Sequence, residues 1–268
     1  MKPWYESYLP LSPGIHHFGL NEKGDGFSIK SFLGSNSTLF NAGAGTNFIY
    51  KIELPEGTSI NCDEFNAETY NCDNKICVRL NRLIEEYGAN IRFIGTQSRC
   101  LFQNLRTIDG DLPLLLSELL LIRNRGNLSS SVAACTEALT ELNPLDFDVA
   151  AHGQVYEYKI KRFLHDCALG MTPETPWQGV YDATGGQIVV RKDGEVVCYH
   201  IYELNRYMQY LYNNTKFENP STSEDPNNPG RAKEKTQPKE IIKPFKYGWV
   251  YEEDGELFIK LNLQIRFK

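Results

Sequence analysis

The sequence predicts a mixed α/β (α+β) fold, and three observations carry that expectation. Strand-like and helix-like patterns alternate along the chain, two Asp-Gly turns mark β-hairpins, and one leucine-rich stretch reads as a helix buried on most sides. With 41% hydrophobic and 12% aromatic residues among 268, the chain can bury one large core or two small ones, which excludes a disordered or fibrous protein. No internal repeat at solenoid or propeller periods is visible.

Residues 26–32 read as a strand after the turn Lys23-Gly24-Asp25-Gly26, and 47–52 as a second before the break at Pro55-Glu56-Gly57. From Ile76 onward, Ile76, Leu80, Leu83, Ile84 and Tyr87 share one helical face, with Asp73 or Asn74 as cap and Gly88 as stop. Residues 91–94 form a short strand-like run. Asp111 opens the next helix with Pro113 in its first turn, and the leucines through Ile122 cover so much of its circumference that it must be a core element. A shorter helix over 131–142 ends at Asn143-Pro144, and Tyr156, Ile160, Phe163, Leu164 and Cys167 set out another before Gly170.

Residues 187–191 and 195–202 are two strands joined at Lys192-Asp193-Gly194, where the Asp-Gly pair suits positive backbone angles. A helix over 203–212 is built on Leu204, Tyr207, Met208 and Leu211. Residues 219–247 hold five prolines, six basic and four acidic residues with little apolar content, the chemistry of a mobile insertion. A last hairpin within 248–268 turns at Glu253-Asp254-Gly255. Strict alternation over 261–267 then directs Leu261, Leu263, Ile265 and Phe267 to a core, and Asn262, Gln264 and Arg266 to the other face.

The net charge of -6 is uneven: residues 1–149 carry 12 basic and 18 acidic side chains, and 150–268 carry 16 of each. That balance argues against a protein that merely coats nucleic acid, while an enzyme can hold a local basic cleft within an acidic whole. The longest apolar run, 112–122, is interrupted by Pro113, Ser117 and Glu118 and is too short for a bilayer. Met1-Lys2-Pro3-Trp4-Tyr5-Glu6 has no apolar stretch behind it, so a cytoplasmic location without disulfides is expected. Cys62, Cys72 and Cys77 lack a matching second pair, and read as incidental thiols rather than zinc ligands.

The chemistry centres on Gly26-Phe27-Ser28-Ile29-Lys30-Ser31. On a strand, Ser28 and Lys30 share one face, and Phe27 and Ile29 are expected to face the core. A lysine so placed can orient an attacking water and stabilise the charge that builds on a phosphate being cleaved. By itself, Ser-x-Lys is an unspecific signal, and a surface strand lysine is the default reading of it.

The text around it is specific. The run from Gly26 through Phe32-Leu33-Gly34-Ser35 leads into Ser37-Thr38-Leu39-Phe40-Asn41-Ala42 and Ala44-Gly45-Thr46-Asn47-Phe48-Ile49-Tyr50-Lys51-Ile52. Further blocks follow at 163–173, Ala183-Thr184-Gly185-Gly186, Cys198-Tyr199-His200-Ile201-Tyr202, Asn213-Asn214-Thr215-Lys216-Phe217-Glu218, Ser221-Thr222-Ser223 and 261–267. In content and order they resemble the HpaII-type restriction endonucleases, from about Ile15 to the C-terminus.

The resemblance implies a type II restriction enzyme with a PD-(D/E)XK-like core, a mixed sheet flanked by helices. It would hydrolyse both strands of double-stranded DNA at a short palindrome, CCGG in the best-known case, with Mg²⁺ as cofactor. Lys30 and Ser28 are then the catalytic candidates, Ser28 standing where the wider superfamily carries an acidic residue. The family-like blocks supply the DNA-contact candidates Ser35, Thr38, Asn41, Thr46, Asn47, Thr184, His200, Tyr202, Thr215, Lys216, Ser221 and Thr222. Asn262, Gln264 and Arg266 join them, because Arg and Gln are among the side chains suited to base edges. A homodimer and a neighbouring DNA cytosine methyltransferase gene are the partners this implies.

Two departures stand out. Family members carry an Asp on a strand upstream of the Ser-x-Lys strand, after a long N-terminal region. Here Leu9-Pro10-Leu11-Ser12-Pro13-Gly14-Ile15-His16-His17 contains no acid, so an N-terminally truncated core is expected, with Asp25 the metal candidate by proximity. Residues 219–247 form an insertion, which leaves 1–218 as the endonuclease core and 248–268 as a hairpin completing it. The competing readings are a truncated remnant that binds DNA without cutting, and a non-enzymatic interaction module.

Overall fold

The computed structural model describes residues 17–20, 26–31, 37–70, 72–126, 129–181, 185–191, 193–200, 203–219 and 247–268, with the backbone alone at 17–20 and 200. The chain runs β1 (His17–Leu20), β2 (Gly26–Ser31), β3 (Thr38–Phe40), β4 (Asn47–Glu53), α1 (Cys62–Glu68), α2 (Lys75–Asn81), β5 (Asn90–Thr96), α3 (Arg99–Ile108) and α4 (Leu112–Arg125). It continues through α5 (Val132–Leu142), α6 (Val155–Ala168), β6 (Gly186–Val190), β7 (Val196–His200), α7 (Leu204–Asn214), β8 (Thr215–Phe217), β9 (Val250–Glu253), β10 (Glu256–Asn262) and β11 (Ile265–Phe267). The fold is mixed α/β, as expected. Most of the insertion expected at 219–247 lies outside the described residues.

The strands form three sheets among the described residues. One has the order β1-β2-β6-β7, the second β5-β4-β10-β9, and the third β3-β11-β8. The first is mixed: β2 runs parallel to β6, while β1 and β7 flank them antiparallel. The parallel pair cannot be closed by a hairpin, so the chain between β2 and β6 makes a long crossover that carries α1 to α6.

Helix α4 is the hub of that crossover. Leu112, Leu115, Leu116, Leu119 and Leu120 are all buried, as the spread of leucines requires. Tyr50 of β4 donates its hydroxyl to the Ser117 carbonyl at 2.9 Å, which ties the second sheet to α4 without leaving a buried phenol unsatisfied. In β4 the alternation holds, with Phe48, Tyr50 and Ile52 buried and Ile49, Lys51 and Glu53 half-buried.

The last hairpin turns as its sequence demands: Asp254 and Gly255 both take positive φ, 52° and 78°. Its strand β10 pairs with β4 in the second sheet, so 248–268 completes that sheet rather than the one holding Lys30. The hairpin is anchored by Arg79, which is fully buried. Its guanidinium stacks 4.1 Å from the Trp249 ring and donates to Thr69 Oγ1 at 2.7 Å and to the Gly248 carbonyl at 2.5 Å.

Three expectations need correction. Asn74 starts α2, but through a left-handed backbone at φ 52° and with no side-chain cap. The helix then continues as a π-turn over Arg82–Glu86 before Gly88 ends it at φ 63°. Residues 261–267 are not one strand: β10 ends at Asn262 in the second sheet, and β11 starts at Ile265 in the third. The chain changes sheets at Leu263 and Gln264, so both faces of this stretch meet protein.

Candidate active site

On β2 the burial is the reverse of the expected sense. Ser28 and Lys30 are 0% and 5% exposed, while Phe27 and Ile29 are only half-buried. The cause is the C-terminal end of α6, buried on every side from Phe163 to Ala168 and packed on the Ser28 face. Ser28 Oγ donates to the Ala168 carbonyl at 3.2 Å, supplying a partner to one of the acceptors that a helix end leaves open. The lysine stem can be buried there because its methylenes are apolar.

Burial lowers the Lys30 pKa from 10.5 to about 8, because an ammonium loses its hydration there. Cys167, beside it, opposes this only if ionised. Burial and the adjacent Asp166 carboxylate push the Cys167 thiol well above its usual range, so at neutral pH it offers no counter-charge. Roughly one Lys30 amine in ten is therefore neutral at pH 7. A surface lysine would be protonated several thousand times more often than not. The site holds a nitrogen base within reach of neutral pH.

Gln187 of β6 pairs in register with Ser28 and lies on the same face as Lys30. It is 1% exposed, and neither Nε2 nor Oε1 has a hydrogen-bond partner. The next strand places Tyr199 opposite Gln187, and Tyr199 stacks on Tyr207 of α7 at 5.4 Å. Tyr207 also buries an unpartnered hydroxyl. Asp166, by contrast, is satisfied: Tyr181 donates to its Oδ1 at 2.8 Å, and His165 Nδ1 lies 3.0 Å from the same oxygen. Gln187 was not among the residues expected from sequence. Its signal was a lone amide in the otherwise apolar strand Ile188-Val189-Val190.

The structure brings some of the expected DNA contacts together and commits others elsewhere. Thr38 on β3, Arg266 on β11 and Lys216 on β8 are cross-strand partners and form one half-buried row. Arg266 Nε is 3.0 Å from Glu218 Oε2. Asn41 is exposed. Thr46, Asn47 and Asn262 instead form a buried knot. Asn262 Nδ2 donates to the Gly43 carbonyl at 2.8 Å and to Asn47 Oδ1 at 2.7 Å, and Asn47 Nδ2 donates to Gln97 Oε1 at 3.0 Å.

Thr215 is fully buried and donates to the Leu211 carbonyl at 2.7 Å. Gln264 is 5% exposed, so the expected open face of Asn262, Gln264 and Arg266 is not formed. The reason is the switch of sheets between β10 and β11. Ser35, Thr184, Tyr202, Ser221, Thr222 and Asp25 lie outside the described residues. His200 is placed through its backbone, paired with Gly186.

Among the described residues no group of three or more His, Cys, Asp or Glu side chains could hold a metal ion. Gln187 Oε1 is an oxygen without a partner on the Lys30 face, and one neutral oxygen does not make a Mg²⁺ site, which takes carboxylates as well. The described residues therefore do not complete the expected cation site.

A buried, partly neutral lysine thus lies on the inner strand of a mixed sheet, with an unsatisfied amide on the same sheet face one strand over. The model of the HpaII restriction endonuclease family matches residues 15–230. One relative, described as "Type II restriction enzyme HpaII" from Haemophilus parainfluenzae, is 39% identical over 242 residues, covering 90% of this chain and 60% of its own length. The chain belongs to the HpaII restriction endonuclease family. It spans about 60% of the length of that relative. No solved structure matches.

Proposed function

We propose that this chain is a type II restriction endonuclease that hydrolyses double-stranded DNA at a short palindrome of the CCGG kind, with Mg²⁺ as cofactor. The observation that carries the reading is Lys30: a desolvated amine, pKa about 8, on the strand that the family match spans. A PD-(D/E)XK-like core is supported by the parallel β2–β6 pair inside a mixed sheet with helices on the Lys30 face. The cation's ligands are to be sought beyond the described residues, with Asp25 the first candidate.

In hydrolysis, the oxygen of a water forms a bond to phosphorus while its proton passes to the neutral Lys30 amine. The P–O bond to the leaving sugar oxygen breaks, and that oxygen takes a proton from solvent water. Lys30 then releases its proton to solvent. Ser28 acts as a positioning residue: its bond to Ala168 pins β2 against the end of α6 and fixes where Lys30 reaches from.

The row Thr38–Arg266–Lys216 is the proposed phosphate contact, since two cations and a hydroxyl along one sheet face suit a polyanion. A homodimer matches the twofold symmetry of a palindrome. A cytoplasmic location and a neighbouring cytosine methyltransferase gene follow, because a host must protect its own sites.

The test is incubation of the 268-residue chain with plasmid DNA and Mg²⁺. Discrete fragments are expected, abolished by chelation and by Lys30→Ala. DNA binding without cutting at any Mg²⁺ concentration would support the non-cutting remnant, and neither binding nor cutting the interaction module.

A further inference from the structure

We propose that Gln187 is a further catalytic residue of this site, its side-chain amide holding the water that attacks phosphorus. The inference rests on the nuclease reading above. Its ground is the pairing of two observations: Gln187 lies on the Lys30 face, one strand over and in register with Ser28, and its amide is buried with both heteroatoms unpartnered.

An amide carries two donor hydrogens and an acceptor oxygen, and burying both ends without partners is costly enough that native proteins rarely do so. Strand β6 is apolar at Ile188, Val189 and Val190, and an aliphatic residue at 187 would avoid the cost. A polar group kept there against stability fits a small hydrogen-bonding ligand that enters during function.

Water fits both ends of the geometry. Gln187 Oε1 accepts one of its protons and the neutral Lys30 amine the other, which leaves an oxygen lone pair free to point at phosphorus. Nε2 donates to a non-bridging oxygen of the same phosphate only as charge builds there in the transition state, so that it adds to rate and not to DNA affinity. A phosphate alone is only an acceptor and would leave Oε1 unsatisfied. As the attack proceeds, the oxygen–phosphorus bond forms, the proton facing Lys30 moves to its nitrogen, and the bond to the leaving sugar oxygen breaks with protonation from solvent.

The neutrality of the amide also has a use. A glutamate at 187 would favour the Lys30 ammonium and hold it protonated, whereas glutamine can position the water without adding a charge. The titratable group packed on Lys30 from α6 is Cys167, which stays a neutral thiol.

The experiment compares the full chain with Gln187→Met and Gln187→Glu. For Gln187→Met the expected result is a fall in kcat of at least about 100-fold. Its DNA affinity in chelator should stay within about twofold, and its melting temperature should be unchanged or raised. For Gln187→Glu the inflection in the pH profile of kcat/KM should move up by about one pH unit or more. Gln187→Met that cuts like the wild type, or that loses DNA affinity and melting temperature in step with activity, overturns the inference alone. An unmoved profile in Gln187→Glu does the same. A wild-type chain that leaves plasmid intact overturns the nuclease reading, and this inference falls with it.

Discussion

Replacing Lys30 by methionine should stabilise the protein at pH 7 while removing its chemistry. Methionine keeps the straight stem and removes the charge that is buried at 5% exposure. The sign follows from the two pKa values. In the unfolded chain Lys30 titrates near 10.5 and in the fold near 8. Below pH 8 the amine is protonated in both states, and the folded state carries the cost of a desolvated cation in full. Between pH 8 and 10.5 the unfolded chain binds more protons than the folded one, so stability of the wild type rises with pH.

The shift corresponds to about 3 kcal/mol. Urea denaturation at pH 7 should show Lys30→Met more stable by roughly that amount, and the gap should close as pH passes 10. DNA cleavage by the same variant should fall by about 100- to 10,000-fold. A variant less stable than wild type at pH 7, or a stability gap that does not change with pH, would show that the fold does not depress the Lys30 pKa.

The wild-type kcat/KM for cleavage should rise about tenfold per pH unit up to about pH 8 and then level, since it reports the free-protein ionisation of Lys30; a profile flat from pH 6 to 9 contradicts a lysine base. Asn262→Ala should destabilise by about 1–2 kcal/mol in urea titrations, because it removes the donor to Asn47 Oδ1, while the Gly43 carbonyl keeps the Thr46 N–H and hydroxyl; an equally stable variant with altered site preference would restore Asn262 as a DNA reader. Arg266→Ala and Lys216→Ala should each weaken binding to cognate and random DNA alike and lower the slope of log affinity against log salt by about one, measured by fluorescence anisotropy; a loss confined to cognate DNA would mean base contact instead.

Much of the fold was legible because its signals are local. The Asp-Gly pairs at 193–194 and 254–255 mark turns through their backbone preferences alone, and both hairpins form. Helix α6 follows from the spacing of Tyr156, Ile160, Phe163, Leu164 and Cys167, all buried. Two helices were not anticipated although their starts are written in the chain. Asn61 accepts from the Asp63 and Glu64 amides at the start of α1, and Ser98 from the Leu101 amide at the start of α3. Short, weakly apolar helices leave little periodicity to read.

The same division holds at Lys30. The sequence by itself determined the family, through many short blocks in order, and it determined that Ser28 and Lys30 share a strand face, because strand side chains alternate with period two. It could not determine which face is covered. That depends on Ala168, 140 residues away, whose carbonyl meets Ser28 only after the crossover from β2 to β6 has folded. Tertiary packing alone made Lys30 a desolvated amine and set an unsatisfied Gln187 on the same face, since burial and register are properties of the neighbours a residue acquires and not of its own type.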